Sequence, residues 1–159
     1  MPASRKSPRR PPRTRSRRAA AADRAFRRGF NCSQAVVAAF APSFGLKSDM
    51  ATRLSQSFGA GMARLGETCG AVTGALMVIG LKYGKVRAGD DKAKEKTYRL
   101  ARAFMDRFRK SHGSLRCKTL LGHDIGTPGG AKLIKSKGLH DTLCPVLVRS
   151  AVVALEKIL

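Results

Sequence analysis

The chain has 159 residues, 43% of them hydrophobic and 26% charged, enough for one domain with its own core. Its formal net charge is +22, a field that attracts nucleic acid, anionic lipid or acidic protein and is silent about the fold. The longest apolar stretch, Cys69 to Leu81, spans 13 residues. A membrane-crossing helix needs roughly 20, so no span is expected.

Residues 1–18, MPASRKSPRRPPRTRSRR, carry eight basic residues and no acid, which leaves +14 on residues 19–159. So little to bury predicts a disordered basic tail over residues 1–19, the natural contact for an anionic partner. A start assigned too early is the other reading of this stretch. Paired arginines at Arg17-Arg18 precede AAAADRAFRR, where Asp23 and Arg24 interrupt any export segment. A cytoplasmic location is expected.

Residues 20–159 predict one all-α domain, a compact multi-helix bundle. A short basic helix covers 20–29. Asn31 caps the helix of NCSQAVVAAF, with Gln34 completing a capping box and Pro42 closing it. Ser48 is predicted to cap DMATRLSQSF, whose Met50, Leu54 and Phe58 share one face, with Gly59 as the stop. GAGMARLG is a glycine-rich connection. It lacks the preceding strand and the spacing of a nucleotide loop.

Thr68 is predicted to cap a helix from Cys69 to about Lys82, ended by Gly84. Asp90 or Asp91 opens the most amphipathic helix, with Thr97, Leu100, Ala101, Phe104 and Phe108 on its apolar stripe and Gly113 as its stop. Ser114 caps a short helix through Leu121, and residues 128–137 form another, stopped at Gly138. The last helix begins at Pro145, with Leu147, Ala151, Ala154, Leu155 and Ile158 facing the core. Neither an alternating β pattern nor an internal repeat is present.

The chemistry lies in four cysteines, Cys32, Cys69, Cys117 and Cys144. No CxxC pair occurs, which excludes a zinc-ribbon or thioredoxin signature. On the predicted map all four fall at helix N-termini. There the unpaired N–H groups and the helix dipole favour thiolate, the form that attacks disulfides and binds metal. Arg116 and Lys118 push Cys117 the same way, and Glu67 pushes Cys69 the other. The alternative is four small buried hydrophobes. Gly70 and Gly74 with Ala71 and Ala75 make a flat strip beside Cys69. It suits close helix packing, a bound cofactor, or the approach of a second thiol. His123 follows Cys117 closely enough to approach it. His112 and His140 are expected at helix ends or in loops.

CGAVTG, preceded by FGAGMARLGET, with single cysteines in NCSQAV, CKTLLG and LCPVLV, resembles the redox-active C_GCAxxG_C_C family. The resemblance covers Ala20 to the C-terminus and leaves the basic tail outside. It implies a small helical protein of bacterial or archaeal type. Its redox-active cysteines would be Cys32, Cys69, Cys117 and Cys144, with an iron–sulfur centre as a cofactor they can hold. It brings no substrate, reaction or named redox partner.

Three function classes follow. The four cysteines ligate an iron–sulfur cluster or cycle between thiol and disulfide. The same four sulfurs hold structural zinc. Or the basic tail and body bind nucleic acid without sequence preference, since no reading motif or aromatic interleaving is present. Gly70 and Gly74 are the expected cofactor-side clearance.

Overall fold

The structure is a computed structural model that describes residues 16–159. The expectation of a disordered tail therefore lies outside the described residues for 1–15. From residue 16 on it is corrected. Ser16 accepts a hydrogen bond from the Ala19 amide and caps α1 (Arg17–Arg27), so Arg17, Arg18 and Ala19 are helical. Ala19, Ala22 and Phe26 form the buried stripe that sets this start.

The chain then runs α2 (Cys32–Phe40), a 3-10 turn η1 (Ala41–Phe44), α3 (Ser48–Ser55), a second turn η2 (Gln56–Phe58) and α4 (Gly59–Met62). It continues as α5 (Gly70–Tyr83), α6 (Asp91–His112), α7 (Cys117–Leu121), α8 (Pro128–Ser136), α9 (Leu139–Thr142) and α10 (Cys144–Glu156). The described residues contain no strand, only one isolated bridge between Thr68 and Arg116.

The capping box at Asn31 and Gln34 forms as predicted. Asn31 Oδ1 accepts from the Gln34 amide at 3.0 Å, and Gln34 Oε1 accepts from the Asn31 amide at 3.0 Å. Gln34 also donates to the Thr52 carbonyl at 2.9 Å, which locks α3 onto α2. Asp90 caps α6 by accepting from Ala93, and Gly113 ends it in the left-handed region at φ +85°.

α5 lies at the centre, against α2, α6 and α10. Its Gly, Ala and Val residues leave no polar face, so neighbours can pack on every side. Gly74 decides how close α2 comes. A Cβ there would stand 2.8 Å from the Ser33 carbonyl oxygen and 3.1 Å from the Ser33 Cα. The core is completed by Phe40 of α2, Phe104 and Phe108 of α6, and Val148, Val152 and Leu155 of α10, all fully buried. α1 is tied to α10 by Asp23, which bonds both Arg27 and Arg149. Burial pushes the Asp23 carboxyl up, but the two guanidiniums win and hold it below its ordinary value.

One stripe is overturned. Met50 and Leu54 were expected to face the core with Phe58, yet they are 54% and 56% exposed. α3 instead buries Ala51 and Ser55, because the Gln34 and Asn31 amides fix Thr52 and Gln56 against α2 and so set the rotation of the helix. Phe58 sits in η2, beyond the end of α3. Among the described residues no single helix is long and apolar enough to cross a membrane, although the bent run Pro128–Ser136 with Leu139–Glu156 passes on length and composition. The α10 part of that run is core, with eight buried residues.

Candidate functional site: four thiols at four helix starts

Each cysteine stands at a helix beginning. Cys32 is the first residue of α2, Cys117 of α7 and Cys144 of α10, while Cys69 is the residue before α5. Two details differ from expectation. Thr68 does not cap α5, because its backbone is bridged to Arg116, and Cys69 takes the cap position. Ser114 does not open α7. Its hydroxyl accepts from the Arg116 amide at 3.0 Å, one residue short of Cys117.

The bridge holds two of the cysteines side by side. The Cys69 amide donates to Leu115 at 2.8 Å, the Cys117 amide to Glu67 at 2.6 Å and the Lys118 amide to Gly66 at 3.0 Å. Cys32 and Cys144 form the other pair, their side chains close enough for each to shift the other's titration. Every one of the four lies within electrostatic reach of the other three. Residues scattered over 113 positions, from 32 to 144, thus share one region of the fold.

The glycines explain how they fit. A Cβ on Gly70 would lie 2.9 Å from the Cys32 Cβ, so the missing side chain gives room to the second thiol. At Gly74 the clearance is filled by α2 itself, whose Ser33 backbone packs against it. Gly61 does for Cys117 what Gly70 does for Cys32: a Cβ on it would stand 2.6 Å from the Cys117 Cβ.

Gly61 belongs to a segment that sequence reasoning treated only as a connection. Ala60, Gly61, Met62, Ala63 and Arg64 all have φ between +53° and +69°, so α4 and the two residues after it make a left-handed turn. Each non-glycine residue in that region costs roughly 1–2 kcal/mol. The turn is closed by Ala63 donating to Gly59 and Glu67 donating to Gly61. It carries the backbone from Gly59, against Asn31 and near Gly70, to Gly61, against Cys117. The glycines of GAGMARLG were the available signal. Four left-handed non-glycine residues had none.

Electrostatics separates the thiols. Burial pushes Cys69 up to about 11, against the opposing pull of N–H groups from Ala71 and Val72. Burial likewise raises Cys117 to about 12, with the neighbouring Cys69 and Cys144 adding to it. The expected help from Arg116 and Lys118 is diverted, since both pair with Glu67, at 2.9 Å and 3.6 Å. Cys32 is raised by donating its proton toward Cys144, and burial adds to this. Cys144 alone is lowered, because Cys32 hydrogen-bonds to its sulfur and outweighs burial. The expectation that helix ends depress all four is therefore corrected for Cys32, Cys69 and Cys117. Cys32 is half-buried, and the other three are 3% to 8% exposed.

A pH dependence follows. The ordinary thiol value is 9.0, and folding raises Cys69 and Cys117 above it. Their contribution to stability is complete below pH 9 and is lost as pH rises through about 11 for Cys69 and about 12 for Cys117. Each is worth on the order of 2–4 kcal/mol. Urea midpoints of the reduced protein should fall steadily above pH 9. A flat profile across that window would contradict the burial of these two thiols.

Among the described residues, no three Cys, His, Asp or Glu side chains are placed to hold one metal ion. Tetrahedral zinc needs four ligands at about 2.0–2.3 Å from one point. His123 meets Lys137 at 2.9 Å, His112 meets Ser150 at 2.7 Å and His140 meets Asp141 at 3.1 Å. Burial lowers His112.

Fold and site together define a helical domain that gathers four thiols at four helix starts. The model of the family described as "Putative redox-active protein (C_GCAxxG_C_C)" matches residues 30–158, and the chain belongs to that family. Comparison with curated proteins and with solved structures gave no significant match.

Proposed function

We propose that the domain is a thiol–disulfide redox protein in which Cys144 and Cys32 are the exchanging pair. What supports this is the pairing of Cys32 with Cys144 at the starts of α2 and α10, which holds Cys144 below its ordinary value and Cys32 above it. Thiolate is the attacking form. Cys144 attacks one sulfur of a partner disulfide, forming a mixed disulfide and releasing the first partner thiolate. Cys32 gives its proton to that thiolate and attacks the Cys144 sulfur. The second partner thiolate leaves, and the Cys32–Cys144 disulfide holds the two-electron oxidised state. Cys69 and Cys117, buried and raised, are a reserve pair that reacts more slowly.

A second reading is favoured by Cys69, where the Ala71 and Val72 N–H groups pull the buried thiol toward thiolate. Amide donors to cysteine sulfur set the potential of iron–sulfur centres, and an all-sulfur donor set is the one such centres use. Cys32, Cys69, Cys117 and Cys144 would hold the cluster, which supplies one-electron transfer. The Ser33 hydroxyl next to Cys32, buried and without a partner, is a donor still to be matched.

Anaerobic purification from a host with competent cluster assembly separates the two. Colourless protein free of iron and sulfide, with two thiols lost and regained per cycle, is the expected result. Brown protein with stoichiometric iron and sulfide would replace the first reading by the second. The basic-tail reading falls mainly on residues outside the described ones. Its check is whether removing residues 1–15 lowers salt-sensitive DNA binding.

A further inference from the structure

We infer that the exposed face of α3 binds the same face of a second copy of the chain, in antiparallel fashion about a two-fold axis. The inference is independent of the redox reading. Met50 and Leu54 lie one turn apart on α3 and are 54% and 56% exposed, although the helix is held firmly from below by Gln34. Beside them, Asp49 and Arg53 are exposed and form no ion pair among the described residues. An acid four residues before a base usually pairs within its own helix. Here both charges stay available.

The charge order fits one partner in particular. A two-fold axis lying between two antiparallel helices places the same flanking row of each helix on the same side of the contact. It also reverses the direction of one row against the other. Asp49 of one copy then meets Arg53 of the other, twice, around a centre made of two Met50 and two Leu54. The pattern is self-complementary, as an isologous contact requires. A parallel two-fold would put the two Asp49–Arg53 rows on opposite sides of the contact, where they do not meet. The overall charge of +22 opposes association, and the local Asp–Arg pairs offset it where the copies meet. α3 has only 8 residues, so the patch falls short of the ~800 Å² per partner of a standard interface. The dimer is therefore weak and reversible.

The test is sedimentation of the full chain under reductant, from micromolar to near-millimolar concentration. The wild type is expected to move from monomer to dimer over this range. Asp49→Arg and Arg53→Asp should each weaken the dimer about tenfold, since each creates two like-charge contacts. An equimolar mixture of the two variants should restore it, because their contacts are opposite again. Leu54→Ser with Met50→Ser should abolish it. All four positions are exposed, so an unchanged helical circular dichroism spectrum confirms that each variant is folded. A wild type that stays monomeric throughout would overturn the proposal. So would a dimer that the charge changes leave untouched, or a mixture that fails to recover.

Discussion

Gly74→Val is expected to destabilise the domain by about 3 kcal/mol or more, the high end for overpacking a core. The new Cβ would meet backbone, at 2.8 Å from the Ser33 carbonyl oxygen, and the Val36 Cβ at 3.1 Å. Neither can swing aside, because α2 and α5 are both central to the core. The same helix supplies its own control. A Cβ on Gly80 would meet nothing within 4 Å, so Gly80→Ala should stabilise by roughly 0.5–1 kcal/mol through helix propensity alone. Chemical denaturation of both variants checks the contrast. Equal effects would mean that the close approach of α2 to α5 is not what Gly74 provides. Gly70→Ala meets backbone too, the Ser33 nitrogen at 3.0 Å and the Gly59 Cα at 3.1 Å, but its nearest neighbour is the Cys32 Cβ at 2.9 Å. Its first effect should be on the Cys32–Cys144 pair.

Cys144→Ala is expected to slow reaction with a small disulfide by roughly two orders of magnitude or more, because it removes the one thiol that the fold biases toward thiolate. It also removes the acceptor that raises Cys32, so the Cys32 thiol should titrate lower than in the parent, with burial still holding it up. Cys69→Ala should leave the fast reaction near its parent rate. Stopped-flow rates against pH give both readouts. If the Cys69 and Cys144 variants slow equally, all four cysteines act as a unit, as a cluster would require.

Much of this was legible in the residues. The Asn31–Gln34 box, the α6 stripe ending on Phe104 and Phe108, and the glycine stops at Gly113 and Gly138 depend on neighbours three or four positions away. Such local physics can be read from a single chain. The cysteines do stand at helix starts, but of the caps that predict this for Cys32, Cys69 and Cys117 only Asn31 forms; Thr68 and Ser114 do not cap their helices. What escaped is long-range. The burial that raises Cys69 and Cys117 depends on which helices cover them. The loss of Arg116 and Lys118 to Glu67 depends on a bridge between segments almost 50 residues apart. α3 shows the failure most plainly. Met50 and Leu54 have core spacing, but the amides of Asn31 and Gln34 decide which side of that helix faces inward. The left-handed turn at Ala60–Arg64 has no local cause. Its strain is offset by the Ala63–Gly59 and Glu67–Gly61 hydrogen bonds and by the contacts that bring Gly61 onto Cys117.

The most direct measurement is peptide mapping of disulfides as the purified protein is taken through a series of redox buffers. The Cys32–Cys144 disulfide should appear first and alone, with Cys69 and Cys117 still alkylatable once the protein is unfolded. A first disulfide joining any other two cysteines, or no reversible disulfide at all, would contradict the assignment of Cys32 and Cys144 as the redox pair.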